Sequence, residues 1–167
     1  MVLTKAELIE MLRHETRILS HLIGKIDPAH RDYRPTPKQR SATELVKYLG
    51  MMGPAIVEAG KTGVFDEAGW VAAEEKAKAE SFAEAAATIA AQGDRYAALL
   101  ADVSDEDLRR EVAVFGEKMT LGRFLVFWVL GGAAAYRTQL FLYLKACGRE
   151  ELGTLNLWSG MDAPVAV

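Results

Sequence analysis

Residues 119–147, MTLGRFLVFWVLGGAAAYRTQLFLYLKAC, constrain the fold more than any other stretch. With Thr120 as N-cap and Gly148 just past the end, the pattern predicts one helix of about 27 residues, roughly 40 Å long. Counting about 100° per residue puts Leu121, Leu125, Trp128, Gly132, Tyr136, Gln139 and Tyr143 on one side. That side is the expected core face, although it carries polar tips where a plain bundle has leucines. Arg123, Arg137 and Lys145 are expected to point outward. Phe127, Leu130, Ala134, Arg137 and Phe141 keep a 3-4-3-4 spacing, the pattern of a second packing seam. A helix apolar on two faces is usually covered on both.

A chain of 167 residues is expected to form a single domain over 1–167, with a tail of about 149–167 packed on it. Its net charge of −3 gives no general attraction to nucleic acid or to an anionic membrane. Cys147 is the lone cysteine, so no intramolecular disulfide exists and a reducing compartment is favoured. The N-terminus lacks the basic-then-apolar layout of a signal peptide. The apolar run 124–136 is too short to span a bilayer. A soluble cytoplasmic protein with no membrane or nucleic-acid partner is the expectation.

The remaining chain reads as three more helical segments. Thr4-Lys-Ala-Glu7 is a capping box that opens helix 1, expected to end near Ile26 at Asp27-Pro28. Glu15 lies near the centre of its apolar face, and His14 and His21 lie to one side on an exposed charged strip. DPAHRDYRPTPKQR is read as a solvated basic loop. Ser41-Ala-Thr-Glu44 opens helix 2, with Tyr48 inward, a kink at Gly53-Pro54 and an end near Gly60. Residues 61–80 read as a long connection. Ser81-Phe-Ala-Glu84 opens helix 3, whose seam is Phe82, Ala86, Ile89, Gly93, Tyr96, Leu100 and Val103. Val112, Val114 and Phe115 suggest a brief extended piece before Gly116. Four amphipathic segments without long strand-like alternation give an all-α four-helix bundle.

Several segments resemble the DinB/YfiT-like superfamily: ELVKYL after Ser41, the RPTP loop before it, DEDLRREVAVFGEKMTLGRFL at 105–125 and YRTQLFLYLKACG at 136–148. The resemblance covers roughly residues 8–148. It implies an up-down-down-up four-helix bundle, a bacterial origin and a homodimer, and in characterised members metal-dependent thiol transfer or isomerisation. It also implies a metal held by one histidine on helix 2 and two histidines four apart on helix 4. Those positions here read Tyr48, Gly132 and Tyr136, and the only histidines are His14, His21 and His30. A missing imidazole triad argues against a divalent metal and against any cofactor.

Glu15, Tyr48 and Tyr136 should then face one another at similar depth, with Gly132 leaving room and Gln139 nearby. Two readings follow. The first is a central polar pocket that binds a small molecule, with Glu15 as a possible base. The second is a hydrogen-bonded cluster in a dimeric structural or regulatory bundle with a degenerate site. Metal-dependent thiol transfer ranks behind both. Cys147, at a helix C-terminus, is a poor nucleophile. The apolar stripe Phe127, Leu130, Ala134 and Phe141 is the expected homodimer interface, unless the tail residues Leu155, Leu157 and Trp158 fold over it.

Overall fold

The computed structural model describes residues 3–164, so the ends of the expected 1–167 domain lie outside the described residues. Helix α1 is Lys5–Ile23, opened by the Thr4–Glu7 capping box. It ends before Ile26 because the Lys25 and Ile26 amides turn back to the Leu22 and Ile23 carbonyls, a tightened last turn. Helix α2 is Ala42–Thr62, opened by the Ser41–Glu44 capping box. It passes Gly60 and stops at Gly63, whose φ of 74° suits a residue without Cβ.

The helix continues through Pro54. Proline has no N–H to give the Gly50 carbonyl four residues back. The Gln92 side chain takes that place, donating to the Leu49 carbonyl at 2.9 Å and to the Gly50 carbonyl at 3.3 Å. Gln92 is 2% exposed, and both ends of this exchange are thereby satisfied inside the core.

The expected 61–80 connection is in fact a helix, α3, spanning Glu67–Ala79. Asp66 caps it, its carboxylate accepting from the Gly69 amide at 2.9 Å. Only Ala77 is fully buried, so α3 lacks the apolar stripe by which a helix is recognised. Helix 3 is divided into α4, Phe82–Ala90, and α5, Gln92–Leu99. Ile89, Tyr96 and Leu100 of its seam are buried. The extended piece is a hairpin, β1 Glu111–Val114 paired antiparallel with β2 Glu117–Thr120. Its turn holds Phe115 at φ 55° and Gly116 at φ 78°, both left-handed, the geometry of a tight primed hairpin turn.

Helix α6 is Leu121–Ala146, opened by Thr120 as expected. Residues Leu125–Leu130 form a π-helical segment within it. Such a segment takes an extra residue into the turn, so every later position is rotated from a straight 100° count. The buried residues show the slip. Leu121 and Leu125 are buried as expected, but beyond the segment burial falls on Ala133, Arg137, Leu140 and Leu144. These lie one residue after the expected Gly132, Tyr136, Gln139 and Tyr143, of which only Tyr143 is fully buried. Arg137, expected outside, is 4% exposed.

Among the described residues α6 is the one helix long and apolar enough to cross a membrane by length and composition, longer than the 124–136 run suggested. Here it packs against α1 and α2. The tail forms a short helix, α7, Thr154–Ser159, docked on the histidine side of α1. His14 Nε2 is 3.0 Å from the Trp158 carbonyl oxygen, Asn156 Nδ2 is 3.0 Å from His21 Nε2, and Lys25 pairs with Asp162 at 2.7 Å. The charged strip of α1 is therefore the seat of the tail. The core is built from leucines of α1, α2 and α6, with Leu8, Leu22, Leu45, Leu125 and Leu140 at 0% exposure.

Candidate functional site

The expected site residues divide between the two sides of helix α6. On the α2 side lies an apolar cleft of about 900 Å³. Tyr48, Met52 and Ile56 of α2 form one wall, Trp70 of α3 and Phe115 of the hairpin turn form another, and α6 supplies the floor. The π-helical segment contributes Val126, Phe127 and Trp128, and the Gly131-Gly132 pair follows it. A Cβ built on Gly132 meets only the Met52 Cε and Sδ atoms, at 3.6 and 3.8 Å, so the missing side chain leaves open space.

The rings form a continuous chain. Tyr136 meets Tyr48 edge-on with centroids 5.2 Å apart, and Tyr48 meets Trp70 at 6.1 Å. Phe65 links Trp70 to Phe115, and Phe115 reaches Trp128 at 5.2 Å. The left-handed turn aims Phe115 into this row, an unfavourable conformation for a bulky residue that the surrounding rings hold in place. Trp128 Nε1 is buried with no acceptor among the described residues.

Tyr48 also lines a second, polar cleft of about 820 Å³ beside the 34–40 loop. Gln139 faces that cleft, not the apolar one. Its amide donates to the Tyr143 hydroxyl, which donates in turn to the Arg40 carbonyl at 3.0 Å. The Arg40 guanidinium lies over the Tyr48 ring, 3.8 Å from its centroid. Burial first, then the neighbouring Tyr136 hydroxyl, pushes the Tyr48 phenol up to about 12, so it stays protonated at neutral pH.

Glu15 is on the other side of α6. Its Oε1 accepts from Arg137 Nη1 at 2.9 Å, with the two side chains 12% and 5% exposed. The Trp158 ring stands 5.3 Å from the guanidinium carbon. Burial pushes the Glu15 carboxyl above its usual range, and Arg137, then His14, pull it back only in part. The expected cluster of Glu15 with Tyr48 and Tyr136 is thus corrected: the one-residue slip turns Arg137 toward α1, and Arg137 is the partner that Glu15 finds. The sequence signal for this was available, since a carboxylate on an apolar face calls for a buried cation.

The positions at which the resemblance puts the metal ligands do not fit a divalent ion. Two phenols, that of Tyr48 held up near 12, and a glycine offer no imidazole and no carboxylate. No group of three potential ligands occurs among the described residues. His14 and His21 are engaged by the tail. Burial raises the Cys147 thiol, which keeps it from the reactive thiolate form.

No family model matches the chain, and no curated protein matches it in sequence. Solved structures do match. A DinB-like protein of Bacillus subtilis, YjoA, superposes with a TM-score of 0.65 at 22% identity, over 88% of this chain and 96% of that one. A DinB-like protein of Bacillus cereus superposes with a TM-score of 0.70 at 16% identity, over 89% of this chain and 95% of that one. These likenesses span nearly the whole of both partners, and from them this chain has the helical fold of the DinB-like proteins.

Proposed function

We propose that this chain is a bacterial, cytoplasmic protein of the DinB/YfiT-like superfamily, an up-down-down-up bundle that binds a small molecule in the aromatic cleft without the family's metal. The observation that carries the reading is the cleft itself, about 900 Å³ of apolar space beside Gly132, at the place where the family holds its ion. Ligand sites are typically concave, mostly apolar and of this size.

Glu15 takes no part in this site, because its carboxylate belongs to Arg137 on the far side of the helix. The reading therefore assigns binding and names no reaction. Ligand-induced thermal stabilisation tests it. A panel of small apolar and aromatic compounds should raise the melting temperature of the native chain, and Gly132→Phe should abolish the response while leaving a folded protein. Elemental analysis should show far less than one zinc or nickel per chain. A tightly held ion that is lost on changing Tyr48 or Tyr136 would overturn the metal-free reading.

A second reading, a dimeric structural or regulatory bundle, draws on Phe127, which is 60% exposed on α6. Leu130 of the same stripe is buried within the chain, and Ala134 and Phe141 are half-buried. The expected contact is accordingly narrower than the full stripe. Arg137 is already paired with Glu15 and cannot serve a partner's acid. If the stripe joins two copies, Phe127→Glu with Phe141→Glu yields monomers in sedimentation equilibrium. A dimer that survives the pair of changes places the interface elsewhere.

A further inference from the structure

We propose that the molecule held by the aromatic cleft is an amphipathic organic anion, its apolar body among Tyr136, Trp70 and Trp128 and its acidic head on Arg40 at the Tyr48 boundary. The inference rests on the small-molecule reading and adds the sign and shape of the ligand.

The body follows from the lining. The cleft walls are aromatic and aliphatic, and a charge placed deep among them would lose its hydration without a partner. The head follows from what meets the cleft at Tyr48. Tyr48 is the residue common to both linings, so the polar cleft lies next to the apolar one across that ring. The polar cleft is bordered by five cations, Arg34, Lys38, Arg40, Lys47 and Lys78, against only Glu44 and Glu74. Arg34 is tied to Glu44 at 3.2 Å, and Lys78 to Glu75 at 2.8 Å. Arg40 has no carboxylate within pairing distance among the described residues.

Arg40 is also pre-positioned. Its guanidinium is stacked on Tyr48 and its carbonyl is held by the Tyr143 hydroxyl. A planar guanidinium fixed in this way matches the fork of a carboxylate, sulfonate or phosphate. The neighbouring lysines reinforce the sign at longer range. Arg123 also borders the apolar cleft, near the start of α6, but no comparable group of cations surrounds it. The excess positive charge is at the Tyr48 end.

Two fluorescent compounds with the same rings separate the parts of this proposal. Anilinonaphthalene sulfonate carries an acidic head, and phenylnaphthylamine is its uncharged parent. Both are titrated into the native 167-residue chain. The sulfonate should bind with one site per chain and roughly three- to tenfold tighter than the parent, the range for one charge-assisted contact at a partly exposed site. Arg40→Gln should remove that advantage without changing the parent's affinity, and so should about 1 M salt, where the screening length is about 3 Å. Arg123→Gln should leave it intact. Circular dichroism melts confirm that each variant is folded.

Equal affinity of the two compounds overturns the anionic head. Loss of the advantage in Arg123→Gln, or its survival in Arg40→Gln, overturns the assignment of Arg40. If neither compound binds saturably, or if Gly132→Phe blocks neither, the cleft reading itself fails, an outcome distinct from the first two.

Discussion

The two sides of α6 meet opposite demands with the same helix. On the α1 side a carboxylate and a guanidinium are withdrawn from water, paired at 2.9 Å and roofed by Trp158. On the α2 side six aromatic rings border a space that the chain leaves open. On the α1 side burial calls for a counter-charge and the pair supplies it, although Glu15 Oε2 and Arg137 Nε keep no hydrogen-bond partner among the described residues and a cleft of about 620 Å³ borders the pair. The α2 side can stay open because apolar surface loses only contact and hydration energy when it is left unfilled. Paired charges thus mark one side of the helix, and a scarcity of polar atoms marks the open cleft on the other.

The largest expected effect tests the charged side. Glu15→Leu strands Arg137 in the interior and should lower unfolding free energy by about 3–5 kcal/mol in denaturant titrations. Adding Arg137→Met should recover most of that loss, since replacing both charges removes the desolvation penalty with the pairing. A double variant as unstable as the single one would mean that the pair does more than neutralise itself.

Glu15→Gln should be milder, about 1–3 kcal/mol, because the amide oxygen can still accept from Arg137. Its pH dependence has a defined sign. The folded-state pKa of Glu15 is raised from 4.5, so its protonated form is the one that folding favours. That contribution is fully present below the unfolded pKa and is lost as pH rises through the folded one. Wild type should therefore lose stability relative to Glu15→Gln as pH rises above about 4.5. A difference that moves the other way over that range would show that Arg137 outweighs burial.

Smaller effects probe the open side and the roof. Gly132→Ala should stabilise the protein by about 0.5–1 kcal/mol, the usual helical gain, because its Cβ meets only Met52 at ordinary contact distance. A loss of stability there would mean that the cleft is tighter than its lining indicates. Trp158→Ala should lower stability by about 0.5–1 kcal/mol, the scale of an exposed cation–π contact, while leaving ligand binding in the aromatic cleft unchanged. A change in that binding would show that the two sides of α6 communicate.

Much of this architecture was legible in the residues themselves. The capping boxes at Thr4, Ser41 and Ser81 place three helix starts, since a side-chain acceptor followed by a glutamate at N3 satisfies local amides whatever the rest of the fold does. Thr120 marks the start of α6 in the same way. Tyr48, Gly132 and Tyr136 do line one cleft, but it is apolar where a polar pocket was expected, and Glu15 and Gln139 lie outside it. Helix α3 was missed because it buries one alanine and has no stripe to detect, though Asp66 was a readable cap.

What only the tertiary structure decided is the phase of α6 beyond Leu130. Periodicity assumes a constant turn per residue, and the π-helical segment breaks that assumption inside an apolar run where either winding buries hydrophobic side chains. One residue of slip moved Tyr136 off the buried core face, put Arg137 in its place and so gave Glu15 a cation instead of a phenol. Local caps depend on neighbours three residues apart and can be read from the chain. The partner of a buried charge depends on how two helices are turned toward each other, and that is fixed only when they pack.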